Sequence, residues 1–228
     1  MKVSQTMTAE AKICGIKTEE ALNAALGGGA VYVGLVMFDN SPRNVDFATA
    51  RRLADQARYG ADIVVLLVDP NDALVRKVMD EVAPDFLQLH GSESVARVAE
   101  IRELADAPVI KAVGVAQQSD AAKGLLYKDV ADIILFDAKP PIVSARPGGL
   151  GVPFDWSLLD GTLKDPNWPQ DMQWMLSGGL TPDNVAGAIR ATGAPIVDVS
   201  SGVESAPGVK DPEMIRRFLH AVKTAKQN

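Results

Sequence analysis

The single cysteine of the chain, Cys14, lies in the stretch Lys12-Ile13-Cys14-Gly15-Ile16-Lys17-Thr18. The pattern reads as a short buried strand that breaks at Gly15 and runs into a helix from Thr18. The thiol then sits at a strand's carboxyl end, where β/α folds place their chemistry. A thiolate is a competent base or nucleophile when its pKa is lowered, and Lys12 and Lys17 are the nearby cations able to lower it. Free cysteine is also among the most buried residue types, so a small core side chain is the other reading of the same residue.

Other chemistry-bearing residues follow apolar runs in the same way. In Leu87-Gln88-Leu89-His90-Gly91 the period of two puts Gln88 and His90 on one side of a strand. An inward polar pair is costly unless it faces a site or is satisfied within itself. Asp137 closes the run Leu135-Phe136-Asp137. It is either a capping or loop-bracing residue or a carboxyl group whose pKa burial raises. Ser177-Gly178-Gly179 and Ser200-Ser201-Gly202 are small-residue turns after two consecutive late strands. Converging backbone N–H groups and a helix N-terminus make that place a phosphate site in β/α barrels, and Gly178, Gly179, Ser201 and Gly202 are its candidates. Lys111 is the one lysine inside an apolar strand-like run with Schiff-base potential, and no partner for it is evident. The two histidines, His90 and His220, and the lone cysteine make no metal-ligand spacing. No Gly-x-Gly-x-x-Gly follows the first strand, so a dinucleotide fingerprint is absent.

The elements that must position these residues form a regular beat. Apolar strand-like runs occupy residues 11–16, 30–37, 61–68, 86–90, 108–115, 131–136, 173–177 and 195–199. Helical periodicity fills 18–26, 46–59, 72–82, 94–104, 120–128, 183–192 and 212–224. The runs are near-continuous in Val, Ile and Leu, as parallel strands buried on both faces require. Eight of them spaced roughly 28 residues apart predict a compact single-domain (β/α)8 barrel over 11–228, preceded by a short lead-in, 1–10. An open doubly wound sheet is the alternative. Residues 139–154, rich in Pro and Gly, form a long loop overhanging the same face, as a lid would. Residues 155–168 are the least regular unit and predict a short helix.

The bulk properties narrow the class. Of 228 residues, 47% are hydrophobic and 23% charged, which suits a globular chain with a full core. A net charge of −6 argues against nucleic acid as a partner. No apolar run is long enough to span a bilayer, and the first ten residues carry no signal-peptide core. The lone cysteine excludes an intrachain disulfide framework and suits a reducing compartment, so a cytoplasmic protein is expected.

Taken together, the motifs resemble the phosphoribosylanthranilate isomerase family of tryptophan biosynthesis over nearly the whole chain. The resemblance rests on residues 12–17, Ser41-Pro42-Arg43-Asn44-Val45, residues 87–91, Phe136-Asp137-Ala138-Lys139-Pro140-Pro141, the glycine cluster before Phe154-Asp155-Trp156, residues 176–180 and Val197-Asp198-Val199-Ser200-Ser201-Gly202-Val203-Glu204. It implies a TIM barrel without cofactor acting on a phosphosugar, as a monomer or a homodimer. It also implies that Cys14 is the general base and Asp137 the general acid. Arg43 would hold the substrate's carboxylate, and Gln88, His90 and Gly149 would line the substrate. The chain departs from the family at Gly148-Gly149-Leu150-Gly151, where relatives usually carry Thr or Asn at the third position. Leu150 offers no side-chain hydrogen bond there.

The implied reaction is the Amadori rearrangement of N-(5′-phosphoribosyl)anthranilate to 1-(2-carboxyphenylamino)-1-deoxyribulose 5-phosphate. It asks for opposite tuning of its two groups. Asp137 must hold a proton, through burial beside Leu135 and Phe136, and Cys14 must lose one, under positive field from Lys12 or a helix end. Another phosphosugar isomerase, an epimerase or a lyase on the same scaffold is the alternative enzyme, and a non-catalytic phosphate-binding protein the alternative class.

Overall fold

The computed structural model describes residues 9–139 and 154–225. Most of the lead-in, the body of the long Pro/Gly loop, Gly149 and Leu150 lie outside the described residues. Eight parallel strands close into a barrel in sequence order. They are β1 (Glu10–Cys14), β2 (Tyr32–Val36), β3 (Asp62–Leu67), β4 (Phe86–Leu89), β5 (Val109–Val115), β6 (Ile133–Ala138), β7 (Gln173–Leu176) and β8 (Ile196–Val199). Closure is made by β8 on β1, with Lys12 opposite Asp198 and Ile13 opposite Val199. The intervening helices are α1 (Glu19–Gly28), α2 (Phe47–Ala57), α3 (Asp72–Glu81), α4 (Val95–Ala105), α5 (Gln118–Ala121), α6 (Asp160–Leu163), α7 (Val185–Thr192) and α8 (Pro212–Thr224).

The strand alternation divides the apolar residues into two sets. Outward-pointing Ile13, Val33, Leu35, Ile63, Val65, Leu67, Leu87 and Leu89 merge with the helix faces into the main core. Inward-pointing Tyr32, Val64, Ile110, Ala112, Ile133, Leu135, Met175 and Ile196 fill the barrel without any helix residue. Cys14, Val36 and Leu66 form a small apolar cap above that filling. The near-continuous apolar runs of the sequence are these two sets read together. Inward parity also puts Lys12, Cys14, Gln88, His90, Asp137, Ser177 and Asp198 in the barrel, near the carboxyl ends of their strands.

Helix starts follow local chemistry. Thr18, Asp46, Asn71, Ser94 and Asp211 each accept a backbone N–H of the first turn through the side chain, the arrangement that satisfies otherwise orphaned donors. Two expectations need correction. The first strand begins at Glu10 and ends at Cys14 rather than continuing to Ile16, because Gly15 takes a φ of +82° and both Gly15 and Ile16 donate to the Gly34 carbonyl. The helix expected over 120–128 is one turn of α5 followed by a 3-10 stretch, Ala122–Tyr127. Gly124 in its middle lies against the Phe136 ring, where a Cβ would come within 3.2 Å. In addition, a hairpin of β9 (Glu204–Ala206) and β10 (Val209–Lys210), for which the sequence carried no expectation, follows β8. Two- and three-residue strands carry too little periodicity to be seen in sequence.

Candidate active site

At the carboxyl end of β1, the Cys14 side chain points inward and is only 4% exposed. Gly34 faces it across the β1–β2 ladder. A Cβ at Gly34 would lie 2.9 Å from both Sγ and Cα of Cys14, so the glycine is what gives the thiol its room. Two residues earlier on the same face, Lys12 is completely buried. Its Nζ donates to Asp198 Oδ1 at 2.8 Å, and Asp198 Oδ2 accepts from Ser177 Oγ at 3.0 Å. A buried Lys–Asp–Ser chain therefore ties β1, β8 and the end of β7 together directly beneath the thiol. Burial lowers the Lys12 pKa, but Asp198 and then Cys14 outweigh it and the net shift is upward, so Lys12 is an ammonium.

The expectation of a lowered Cys14 pKa is overturned. Burial is the largest influence and pushes the thiol up; Lys12 and Lys210 pull it down, Asp198 adds to the rise, and the net direction is upward. A thiolate in a nearly closed apolar cap loses more hydration than two ammonium groups return. Lys17, the other cation expected to help, donates its Nζ to the Pro42 carbonyl instead.

Asp137, near the carboxyl end of β6, is 6% exposed. Its Oδ1 accepts from the Ala138 N–H at 2.9 Å, and its Oδ2 lies 3.3 Å from His90 Nε2. On the ring's other side, His90 Nδ1 is 2.9 Å from Gln88 Nε2. The inward pair on β4 thus satisfies itself in part and also reaches the Asp137 carboxyl group. Gln88 is completely buried, and its amide is turned to the ring.

Arg43, expected to hold the substrate's carboxylate, lies against Glu204. Its Nε and Nη2 donate to the two carboxylate oxygens of Glu204 at 2.7 and 2.8 Å. This is the two-pronged match a guanidinium makes with a carboxylate, and a residue of the chain itself occupies it. Glu204 Oε1 also accepts from Lys210 Nζ at 2.7 Å. Burial raises the Glu204 pKa, but its bonds to Arg43 and Lys210 hold it below the usual glutamate value. Lys111, which had no evident partner in sequence, donates to Glu93 Oε2 at 2.7 Å and to the Gly91 carbonyl at 2.9 Å. It is a buried brace between β5 and the end of β4, not a free amine.

The two glycine turns come together at the mouth. A Cβ at Gly178 would meet the Ala138 nitrogen at 2.5 Å, and one at Gly202 would overlap the Leu180 carbonyl. Gly178 and Gly179 adopt φ of +86° and +65°, conformations that glycine alone takes without strain. Asn184, just before α7, braces this turn: Oδ1 accepts from Thr181 N–H and Nδ2 donates to the Gly179 carbonyl. Ser201 opens the 3-10 turn Ser201–Val203 beside it. Among the residues that sequence reasoning did not assign to the site are Asp198, Ser177, Glu204 and Lys210. The trace of Asp198 was an aspartate at an inward position of the otherwise apolar run Ile196-Val197-Asp198-Val199. Glu204 and Lys210 sit on a hairpin that left no pattern.

Comparison with known proteins bears on this geometry. The sequence profile of the family described as N-(5'phosphoribosyl)anthranilate (PRA) isomerase matches residues 11–221. An N-(5'-phosphoribosyl)anthranilate isomerase of Rhodopseudomonas palustris (strain HaA2) is 52% identical over 97% of this chain and 99% of its own. A Thermotoga maritima phosphoribosyl anthranilate isomerase crystal structure superposes with a TM-score of 0.82 at 34% identity, covering 94% of this chain and 98% of its own. A further solved structure is of such an isomerase in complex with reduced 1-(o-carboxyphenylamino)-1-deoxyribulose 5-phosphate. It has a TM-score of 0.80 at 32% identity, covering 94% of this chain and 98% of its own. Among the described residues, no helix is long and apolar enough to cross a membrane.

Proposed function

The chain belongs to the N-(5′-phosphoribosyl)anthranilate isomerase family, and from that premise we propose that Cys14 and Asp137 are the base and acid of its reaction. The protein is an isomerase of tryptophan biosynthesis that converts N-(5′-phosphoribosyl)anthranilate to 1-(2-carboxyphenylamino)-1-deoxyribulose 5-phosphate by an Amadori rearrangement. The observation that carries the residue assignment is geometric. A thiol and a carboxyl group project inward from the carboxyl ends of β1 and β6, at one mouth of one closed barrel.

Protonated Asp137 delivers its proton to the ribose ring oxygen. The ring C–O bond breaks, and the anthranilate nitrogen's lone pair forms a Schiff base. Cys14, as thiolate, then takes the proton from C2′, and those electrons neutralise the iminium as an enolamine. Tautomerisation of the enolamine gives the ketone. Burial raises the Cys14 thiol, and Lys12 and Lys210 pull in the other direction, reducing the cost of forming the thiolate. The paired glycine turns, with Gly178, Gly179, Ser201 and Gly202, suit a phosphate at the far end of the substrate. They would hold it so that both proton transfers become oriented intramolecular steps. Arg43 is the proposed holder of the substrate's carboxylate, its Nε and Nη2 edge fixed in place by Glu204. A base that works as a free thiol needs a reducing compartment, which supports a cytoplasmic location.

The test is Cys14→Ala and Asp137→Asn, followed by the loss of anthranilate-type fluorescence from substrate generated in situ. Each substitution should lower kcat by roughly 10²–10⁴-fold, the usual worth of a positioned acid or base. Near-normal turnover by a folded variant removes that residue from its role.

A further inference from the structure

Gln88 presents an anomaly. It is fully buried, yet among the described residues its Oε1 has no hydrogen-bond partner, while its Nε2 is 2.9 Å from His90 Nδ1. Buried side-chain carbonyls are nearly always satisfied. Here no donor among the described residues pairs with Oε1, so none of them fixes which way the amide points. Rotating the amide by half a turn exchanges its oxygen and nitrogen within the same envelope. Gln88 can therefore donate to Nδ1 or accept from it.

The other ring nitrogen of His90 faces Asp137 Oδ2 at 3.3 Å, and Asp137 Oδ1 is held by the Ala138 N–H. The row Gln88–His90–Asp137 accordingly has two self-consistent arrangements. With Asp137 ionised, Nε2–H donates to Oδ2 and Nδ1 accepts from the Gln88 amide nitrogen. With Asp137 protonated, its O–H donates to Nε2, and Nδ1–H donates to the Gln88 carbonyl. One proton separates the two, the one carried by the carboxyl group. The imidazole holds a single proton in both and only changes which nitrogen bears it. The His90 side chain is 12% exposed, so water can exchange that proton.

We propose that Gln88 and His90 are positioning residues that keep the Asp137 carboxyl group hydrogen-bonded in both of its protonation states, the buried amide turning as the His90 tautomer changes. The inference rests on Asp137 being the acid, and it changes the part expected of Gln88, which acts on the ring rather than on substrate. The other charged groups around this strand end are committed elsewhere. Lys111 on β5 bonds Glu93 and the carbonyls of Leu89 and Gly91, on either side of His90. Asp69, beyond β3, accepts from the Ser92 N–H. Lys139, after β6, lies 3.6 Å from Asp120.

The experiment is a two-bond proton–nitrogen spectrum of the wild-type enzyme labelled with ¹⁵N-histidine, recorded across pH beside the pH profile of kcat. The chain has only two histidines, and His220 on α8 is exposed and serves as the reference. His90 should pass from the Nδ1–H to the Nε2–H tautomer as Asp137 ionises. Gln88→Glu, which can only accept once ionised, should hold His90 with Nδ1 protonated. In that variant kcat should fall about tenfold or more with KM little changed, against the roughly 10²–10⁴-fold cost of removing the acid itself. A single unchanging His90 tautomer in wild type while activity titrates would overturn the proposal, and this measurement needs no variant to fold. A folded Gln88→Glu variant with the wild-type profile overturns it equally. An active Asp137→Asn variant would refute the acid assignment and the inference with it. An inactive Asp137→Asn with an unresponsive His90 refutes the inference alone.

Discussion

Burial raises the Cys14 thiol, and the opposing ammonium groups of Lys12 and Lys210 do not reverse it. The thiolate absorbance of the free enzyme should therefore titrate above the 9.0 of an ordinary thiol. Lys12→Met should move that midpoint higher still, since it removes a cation and leaves Asp198 uncompensated. A midpoint at or below the ordinary value would overturn this account. The sign for stability follows. A group whose folded pKa is raised binds its proton more tightly when folded. That stabilisation is fully present below the unfolded value and is lost as pH rises through the folded one. Gly34 belongs to the same scale. In Gly34→Ala the new methyl group meets Cys14 at 2.9 Å. Overpacking of this kind costs about 1–3 kcal/mol, so the urea midpoint should fall, and kcat should fall with it because the thiol is displaced. Cys14, His90 and Asp137 were legible in sequence because each is a polar residue at the end of an apolar run. The direction of the Cys14 shift was not, since it depends on how completely Gly34, Val36 and Leu66 close over the sulfur.

The hairpin of β9 and β10 shows what one small element contributes. Glu204 on β9 receives Arg43 from the loop after β2 and Lys210 from β10, and its Oε2 also accepts from the Gly208 N–H. A Cβ at Gly208 would meet the Pro42 carbonyl at 2.3 Å, so the turn of the hairpin rests directly on the Ser41-Pro42-Arg43 loop. Removing one member of a buried ion cluster leaves its partners uncompensated and costs about 3–5 kcal/mol. Glu204→Gln should show that loss in urea denaturation near neutral pH, with faster amide exchange across residues 204–210. The Glu204 pKa is lowered in the fold. Its contribution is therefore fully present above the ordinary 4.5 and is lost as pH falls through the lowered value. The difference between wild type and Glu204→Gln should shrink in acid and not in base. The Ser-Pro-Arg stretch was visible in sequence, but its partner 161 positions away was not.

Across the whole molecule, the outer layer between strands and helices carries the largest packed side chains. Phe136 is fully buried there, with the Trp168 and Trp174 rings at centroid distances of 6.0 and 6.1 Å. Phe136→Ala should cost about 3–5 kcal/mol in chemical denaturation. Leu126→Ala, at a position 62% exposed, should stay within about 0.5 kcal/mol of wild type. Similar losses at the two positions would mean that this layer is not the packed core described above. The alternation of inward and outward residues also explains why the proposed base and acid, Cys14 and Asp137, share one mouth. In a closed parallel barrel every carboxyl end points the same way, so polar residues at strand ends converge whatever their distance in sequence.

The amino-acid sequence by itself determined the beat of strands and helices, the caps that start the helices and the polar residues that end the strands. These depend on neighbours a few positions apart, through side-chain period and local hydrogen bonding. Only the tertiary structure decided which charged groups face one another: Lys12 with Asp198, Arg43 with Glu204, Lys111 with Glu93, and His90 between Gln88 and Asp137. Most of these pairings join residues far apart in the chain, and His90 on the β4 side meets Asp137 of β6 only past the intervening β5. Barrel closure brings them within a few ångströms, where the removal of water makes each partner's charge decisive.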